Sequence, residues 1–338
     1  MKKIVIAGGS GQVGTVLARH FAAKGDEVVI LSRKVAESAR RSGTRRVGWD
    51  GATAGPWVED LEAADVLINL AGRSVDCRYG AKNRREIFDS RLKSTTVLGE
   101  AVAKLRQPPK LWMNAGTATI YRHALDRPMD EETGEIGNGE VGAPDSWRFS
   151  FDVASAWEAA FAAAPVSTTR KVVLRSAMTM SPDRGGVFDV LSRLVRLGLG
   201  GRHASGEQFV SWIHETDFVR AVDFLIDRED FEGPVNLSSP HPLPNREFMK
   251  TLRQAWGWRV GLPTARWMLE IGAMLLRTET ELILKSRRVA PGRLQAGGFE
   301  FVFPEWKDAA AELVARSRRG GTRRLPLAGV EVRANDHA

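Results

Sequence analysis

Along the first 70 residues, short apolar runs alternate with longer stretches in which apolar side chains recur every three to four positions. Ile4-Val5-Ile6 reads as a strand and Gly11 to Lys24 as a helix. Glu27 to Leu31, a short stretch near Val47, and Val66 to Leu70 read as further strands. This rhythm is βαβ and predicts a parallel sheet with helices on its faces. Helical periodicity from Arg84 to Leu105 leads through Pro108-Pro109 into a strand at Lys110 to Asn114. Arg122 to Asp145, rich in Gly, Pro, Asp and Glu, reads as irregular. Ser150 to Ala164 is helical, and Lys171 to Leu174 is strand.

From Ser181 the alternation fades. Helices are expected at about Val187 to Leu197, Glu215 to Ile226, Asn245 to Trp256, Pro263 to Leu276 and Trp306 to Ala315, while Pro234 to Leu237 has the composition of a strand returning to the main sheet. The expected fold is therefore a doubly wound α/β domain over 1–180 that takes back a strand near 234–238. A smaller interleaved lobe follows over 181–315, then a basic tail over 316–338.

Composition narrows the setting. The chain has 338 residues, 43% of them hydrophobic, which suffices for a sizeable core. Its single cysteine, Cys77, excludes an intrachain disulfide or a thiolate metal site and fits a reducing cytoplasm. The apolar stretch after Met1 is broken at Gly8 and Gly9, too early for a signal-peptide core. Trp267 to Leu276 falls short of the roughly 20 apolar residues a membrane span needs. The formal charge of +8 includes five arginines between Arg316 and Arg324, without interleaved aromatics for base stacking, so no nucleic-acid partner is expected.

Residues 7–14 read Ala-Gly-Gly-Ser-Gly-Gln-Val-Gly between a strand and a helix. Gly9, Gly11 and Gly14 fit the dinucleotide fingerprint, and Gly8, Gly11 and Gly14 fit the spacing of its short-chain dehydrogenase variant. Early glycines let backbone N–H groups of Ser10, Gln12 and Val13 approach a pyrophosphate; the last allows close helix-to-strand packing. The second strand ends Leu31-Ser32-Arg33-Lys34. A carboxylate there would accept hydrogen bonds from a ribose; two cations and a hydroxyl instead favour a 2′-phosphate, and hence NADP(H). After the fourth strand, Leu70, Ala71 and Gly72 are small enough to let adenine and ribose pass close to the backbone.

With these residues in view, the chain resembles the extended short-chain dehydrogenase/reductase superfamily, in its epimerase-like branch with an uncharacterised C-terminal domain. The likeness runs from residue 1 to about 315. It rests on the glycine turn, Ile68-Asn69-Leu70-Ala71-Gly72, Ser90-Arg91-Leu92-Lys93-Ser94-Thr95, Leu174-Arg175, Gly198-Leu199-Gly200-Gly201, Ser211-Trp212-Ile213-His214 with Asp217, Gly233-Pro234-Val235-Asn236, and Pro291 to Phe303. The resemblance implies a Rossmann core, NADP(H) and a small-molecule substrate, polar or nucleotide-linked.

The superfamily's usual Tyr-x-x-x-Lys pair is missing. The corresponding helix reads Phe149-Ser150-Phe151-Asp152-Val153-Ala154-Ser155, and the chain has only two tyrosines, Tyr79 and Tyr121. Thr117 or Thr119 can take the companion hydroxyl's place. Tyr121, following the fifth strand, is the expected stand-in proton donor or else a wall of the pocket. Arg91, unless it is an exposed helix charge, and Arg175 are expected as cofactor-side cations; Gln208, Trp212 and His214 are expected as substrate-side residues, with core packing the other reading of Trp212 and helix capping that of His214. Asp217 would either hold His214 or cap the helix it enters. No His/Asp/Glu spacing suggests a metal. Two readings stay open: an NADP-dependent oxidoreductase or epimerase with an atypical site, and a dinucleotide-binding protein that has lost its chemistry.

Overall fold

The computed structural model describes residues 1–33, 43–137, 142–265 and 281–319. Its centre is a seven-stranded, wholly parallel sheet in the order β10-β6-β5-β4-β1-β2-β3. The strands are β1 (Lys3–Ala7), β2 (Glu27–Ser32), β3 (Thr44–Gly48), β4 (Val66–Asn69), β5 (Leu111–Thr117), β6 (Arg170–Ser176) and β10 (Gly233–Leu237). Helices α1 (Gln12–Ala23), α2 (Ala81–Val102), α3 (Asp145–Ala162) and α5 (Glu215–Asp227) cover the faces.

The continuous apolar runs of the inner strands reflect burial on both sides. In β1, Ile4 and Ile6 join the cluster with Leu17 and Phe21 of α1 and Val222 of α5, while Val5 and Ala7 join Leu98 of α2, Trp112 and Phe161. β10 pairs with β6 from Gly233↔Val172 to Leu237↔Ser176, so the late strand does return to the first sheet.

The smaller lobe is built on α4 (Val187–Arg196), the short strands β7 (Met178–Met180), β8 (Phe209–Val210), β9 (Trp212–His214) and β11 (Leu243–Pro244), and α6 (Asn245–Ala255). Behind it come α7 (Glu281–Leu284), α8 (Gly292–Ala296) and α9 (Trp306–Arg318). Its separate core stacks Phe248 on Trp306, ring centroids 4.1 Å apart, with Trp212 at 4.9 Å from Trp306.

One sequence expectation changes and another lies mostly outside the described residues. The last helix does not stop at Ala315: α9 runs to Arg318, and Arg316 meets the buried Glu215 at 2.6 Å and Glu312 at 2.6 Å. The first arginines of the supposed tail therefore belong to the fold. Of the helix expected from Pro263, residues 266–276 lie outside the described residues, while Thr264 forms a β-bridge with His203. Among the described residues no helix is long and apolar enough to cross a membrane.

Candidate functional site

The strand order reverses between β1 and β4, and at that switch point an open α/β sheet leaves a crevice beyond its carboxyl ends. The two tight turns bordering it are in contact. Gly8 has φ +75°, and a Cβ there would lie 2.8 Å from the Ala71 backbone; at Gly14 a Cβ would lie 2.5 Å from the Cα of Gly9. Neither position admits a side chain. Gly11, by contrast, is exposed, with nothing nearer its absent Cβ than the Gly8 carbonyl at 3.7 Å.

Gly11 is the N-cap of α1 and no side chain caps that end, so the first amides of the helix point outward with the positive end of its dipole. Gln12 adds a buried side-chain amide nitrogen, Nε2, that has no hydrogen-bond partner among the described residues. An orphaned donor is costly to leave unmade, and here it lies at an uncapped helix end beside a glycine cradle. The glycines, the open amides and this donor fit the pyrophosphate of a dinucleotide.

The β4 turn is fixed from below. Asn69 donates to Asn114 at 2.7 Å and accepts from the Ala71 amide at 3.0 Å, while Trp157 of α3 donates to Thr95 at 2.9 Å. Arg91 of α2 packs against Gly72, donates to the carbonyls of Arg73 and Ile87 at 3.0 Å each, and lies 5.1 Å from the Trp157 ring centroid. No carboxylate among the described residues pairs with it, and burial pulls its pKa down to about 10. At the end of β2, Ser32 is buried and Arg33 exposed; Lys34 lies outside the described residues.

Arg175 and Tyr121 are placed differently from expectation. Arg175 makes a two-pronged pair with Glu158 of α3, both contacts 2.8 Å, and its NH1 donates to the Tyr121 hydroxyl at 2.9 Å. Burial opposes that charge, but the Glu158 pair more than offsets it and holds the guanidinium above its usual value. Arg175 is thus a satisfied internal cation rather than a group left for the cofactor. Tyr121, 2% exposed, donates in turn to Asn236 Oδ1 at 3.0 Å, which commits its hydroxyl to the β5-β6-β10 seam. Thr117 ends β5, half-buried, and accepts from the Thr119 amide at 3.2 Å.

The three residues expected on the substrate side are buried in the smaller lobe. Trp212 is 0% exposed, within the core of the smaller lobe. The His214 side chain caps α5 by accepting from the Thr216 amide at 3.0 Å, with Glu312 on its other nitrogen at 3.0 Å. Asp217 neither holds His214 nor caps α5; it accepts from the amides of Val302 and Phe303 at 2.7 and 2.9 Å, tying that late segment down. Gln208 donates to the carbonyls of His203 and Ile283 at 3.0 and 3.2 Å.

Sequence reasoning missed another group. Tyr79 sits on the loop leaving the β4 turn, Ser150 on the first turns of α3, and Glu281, Lys285 and Arg287 around α7; contacts pass from Tyr79 to Ser150 and Glu281, and Lys285 and Arg287 reach Thr119 beyond β5. The second tyrosine was the one available clue. Among the described residues no group of three or more His, Cys, Asp or Glu side chains is placed to hold a metal.

Comparison with known proteins gives two family matches along the chain. The model of the NAD dependent epimerase/dehydratase family matches residues 4–237, and that of a domain of unknown function, DUF1731, matches residues 264–313. The human epimerase family protein SDR39U1 is 31% identical over 316 residues, covering 93% of this chain and 100% of that protein. A crystal structure of its isoform 2 with NADPH superimposes with a TM-score of 0.79 at 29% identity, over 92% of this chain and 99% of that one. The nucleoside-diphosphate sugar epimerase of Corynebacterium glutamicum gives a TM-score of 0.71 at 27% identity, over 93% of this chain and 58% of that one.

Proposed function

The chain belongs to the NAD dependent epimerase/dehydratase family, and from that premise we propose that it binds NADP(H) across the β1–β4 switch point and transfers hydride to or from a small polar or nucleotide-linked substrate. The observation that carries the choice of cofactor is the end of β2, where buried Ser32 and exposed Arg33 replace the carboxylate that would favour NAD(H). A guanidinium fork matches a phosphate's oxygens and has no such match to a ribose hydroxyl. The human relative solved with NADPH supports the same preference.

In this reading the turn at Gly8, Gly9, Ser10 and Gly11 and the amides of Gln12, Val13 and Gly14 hold the pyrophosphate. Gln12 Nε2 donates to it or to the ribose beside it. Leu70, Ala71 and Gly72 floor the adenosine side, with Arg91 supplying positive charge. Ser32, Arg33 and Lys34 take the 2′-phosphate. Thr117 and Thr119 line the substrate edge. When bound, the nicotinamide supplies or takes the hydride; the protein's part is orientation, exclusion of water and a proton. The Corynebacterium relative named as a nucleoside-diphosphate sugar epimerase supports a nucleotide-linked substrate. The lone cysteine is in keeping with a reducing compartment such as the cytoplasm.

A second reading has one observation behind it: α3 offers Phe149, Ser150, Phe151 and Asp152 in place of the usual Tyr and Lys, as expected of a binding protein that reports cofactor state. Incubating the full chain and NADPH with nucleotide-linked keto sugars and simple aldehydes separates the two. Consumption of NADPH is the expected result; tight NADPH binding with no consumption by any of them would favour the sensor.

A further inference from the structure

Four stretches of chain meet beside the carboxyl end of β5. Tyr79, 8% exposed, sets its ring edge-on to Phe149 of α3 with centroids 5.0 Å apart, and its hydroxyl hydrogen-bonds Ser150. Ser150 Oγ donates to Glu281 Oε2 at the start of α7. Glu281 Oε1 lies 3.7 Å from Arg287 NH2, and Arg287 Nε donates to Thr119 Oγ1 at 3.1 Å. Lys285 Nζ donates to the Thr119 carbonyl at 2.9 Å. The backbone holding Tyr79 is fixed, since Arg84 Nε donates to its carbonyl at 2.7 Å. On its other side Tyr79 is close enough to Arg91, the cation packed on Gly72, for their charges to interact.

We propose that Tyr79 is the proton donor of this cleft, positioned by Ser150, Glu281 and Arg287 where α3 lacks the usual tyrosine. The proposal rests on the hydride-transfer reading above. Of the two tyrosines, Tyr121 has its hydroxyl engaged by Arg175 and Asn236 at the β5-β6-β10 seam, whereas the Tyr79 hydroxyl meets Ser150 on the helix where the superfamily's usual tyrosine would stand. A proton donor must stay protonated until the substrate oxygen gains charge. Burial first, and then Glu281, push the Tyr79 phenol up to about 12, which suits an acid and not a resting base. Ser150 and Arg287 act in the opposite sense, and Ser150 would turn its one proton from Glu281 to the phenolate once the Tyr79 proton has gone.

The step balances as follows. As hydride from NADPH reaches a carbonyl carbon, the carbon–oxygen π bond opens, the Tyr79 O–H bond breaks and its proton forms the new O–H of the alcohol. The carbonyl is reduced and the nicotinamide oxidised. Tyr79 is left as phenolate beside Ser150 and Arg287, and water reprotonates it when product leaves.

Fluorotyrosine placed in the full chain gives two fluorine NMR resonances, because there are only two tyrosines, and Tyr121→Phe assigns them. Its phenol is more acidic than tyrosine's, which keeps the titration in a gentler pH range. The position-79 resonance is expected to titrate above free fluorotyrosine, with its midpoint lowered by Glu281→Gln and raised by Ser150→Ala. It is also expected to move when NADPH binds. A midpoint equal to that of free fluorotyrosine, or unmoved by both substitutions, overturns the proposal. Where a keto sugar or aldehyde is turned over, Tyr79→Phe should lower kcat by about a hundredfold while NADPH affinity stays within about twofold; undiminished kcat overturns it. NADPH fluorescence, read separately, decides the cofactor reading: failure to bind sinks that reading alone, and binding with an unperturbed Tyr79 sinks the proton donor alone.

Discussion

Single residues here show how burial sorts candidate chemistry from structural work. Tyr121 looked reactive from its place after β5, yet its hydroxyl joins Arg175 to Asn236 across three strands. Tyr121→Phe leaves both partners unmatched in a buried site. It should cost about 1–3 kcal/mol, read as a lower Tm, with NADPH affinity unchanged. His203 is a second case. Burial lowers its pKa from 6.5 to about 4, with Asn245 Oδ1 and Gln208 Nε2 bonding its backbone. The unfolded chain binds the proton first, so stability holds above about pH 6.5 and falls as pH drops towards 4. By pH 4 the loss from this residue approaches about 3 kcal/mol. Urea midpoints across that range should decline more steeply than in His203→Gln, and parallel declines would contradict the assignment.

Among the elements, strands were the most legible. Ile4 to Ile6, Val28 to Leu31 and Val172 to Leu174 are buried on both faces, and such runs stand out between turn residues. The glycine turn was legible for another reason: all its parts lie within eight consecutive positions. Gly14→Ala would put a methyl 2.5 Å from the Gly9 backbone, prising α1 from β1. NADPH affinity should fall at least about tenfold, and unchanged binding would contradict the packing argument. The end of α9 was misread because Arg316 in sequence stands among basic, glycine-flanked residues; its partner Glu215 lies a hundred positions away. Arg316→Ala strands a carboxylate that is 1% exposed, with Arg19 still 3.6 Å from it. Allowing for the partial exposure of Arg316, the cost should be about 2 kcal/mol, measurable by urea unfolding.

For the whole molecule, the Rossmann core follows from periodicity, whereas the polar group around Tyr79 is assembled from positions 79, 119, 150 and 281–287. No local pattern encodes that meeting, because the last three residues reach it only after the chain has passed through the second lobe. Trp212, His214 and Gln208 form a near-contiguous stretch in sequence and attracted notice for it, but the fold spends them on a core, a helix cap and a loop tie. The glycine turn is local and readable in the sequence; the group around Tyr79 is distributed along the chain and is not.

On the reading proposed above, the glycine turn and the end of β2 together select a 2′-phosphorylated dinucleotide. The most direct measurement of that selection is a paired titration of NADPH and NADH against the full chain and Arg33→Ala, followed by cofactor fluorescence. The account predicts NADPH bound tighter than NADH by at least about tenfold, with most of that ratio lost in Arg33→Ala. Equal affinities in the unsubstituted protein, or a preference that survives Arg33→Ala intact, would contradict it.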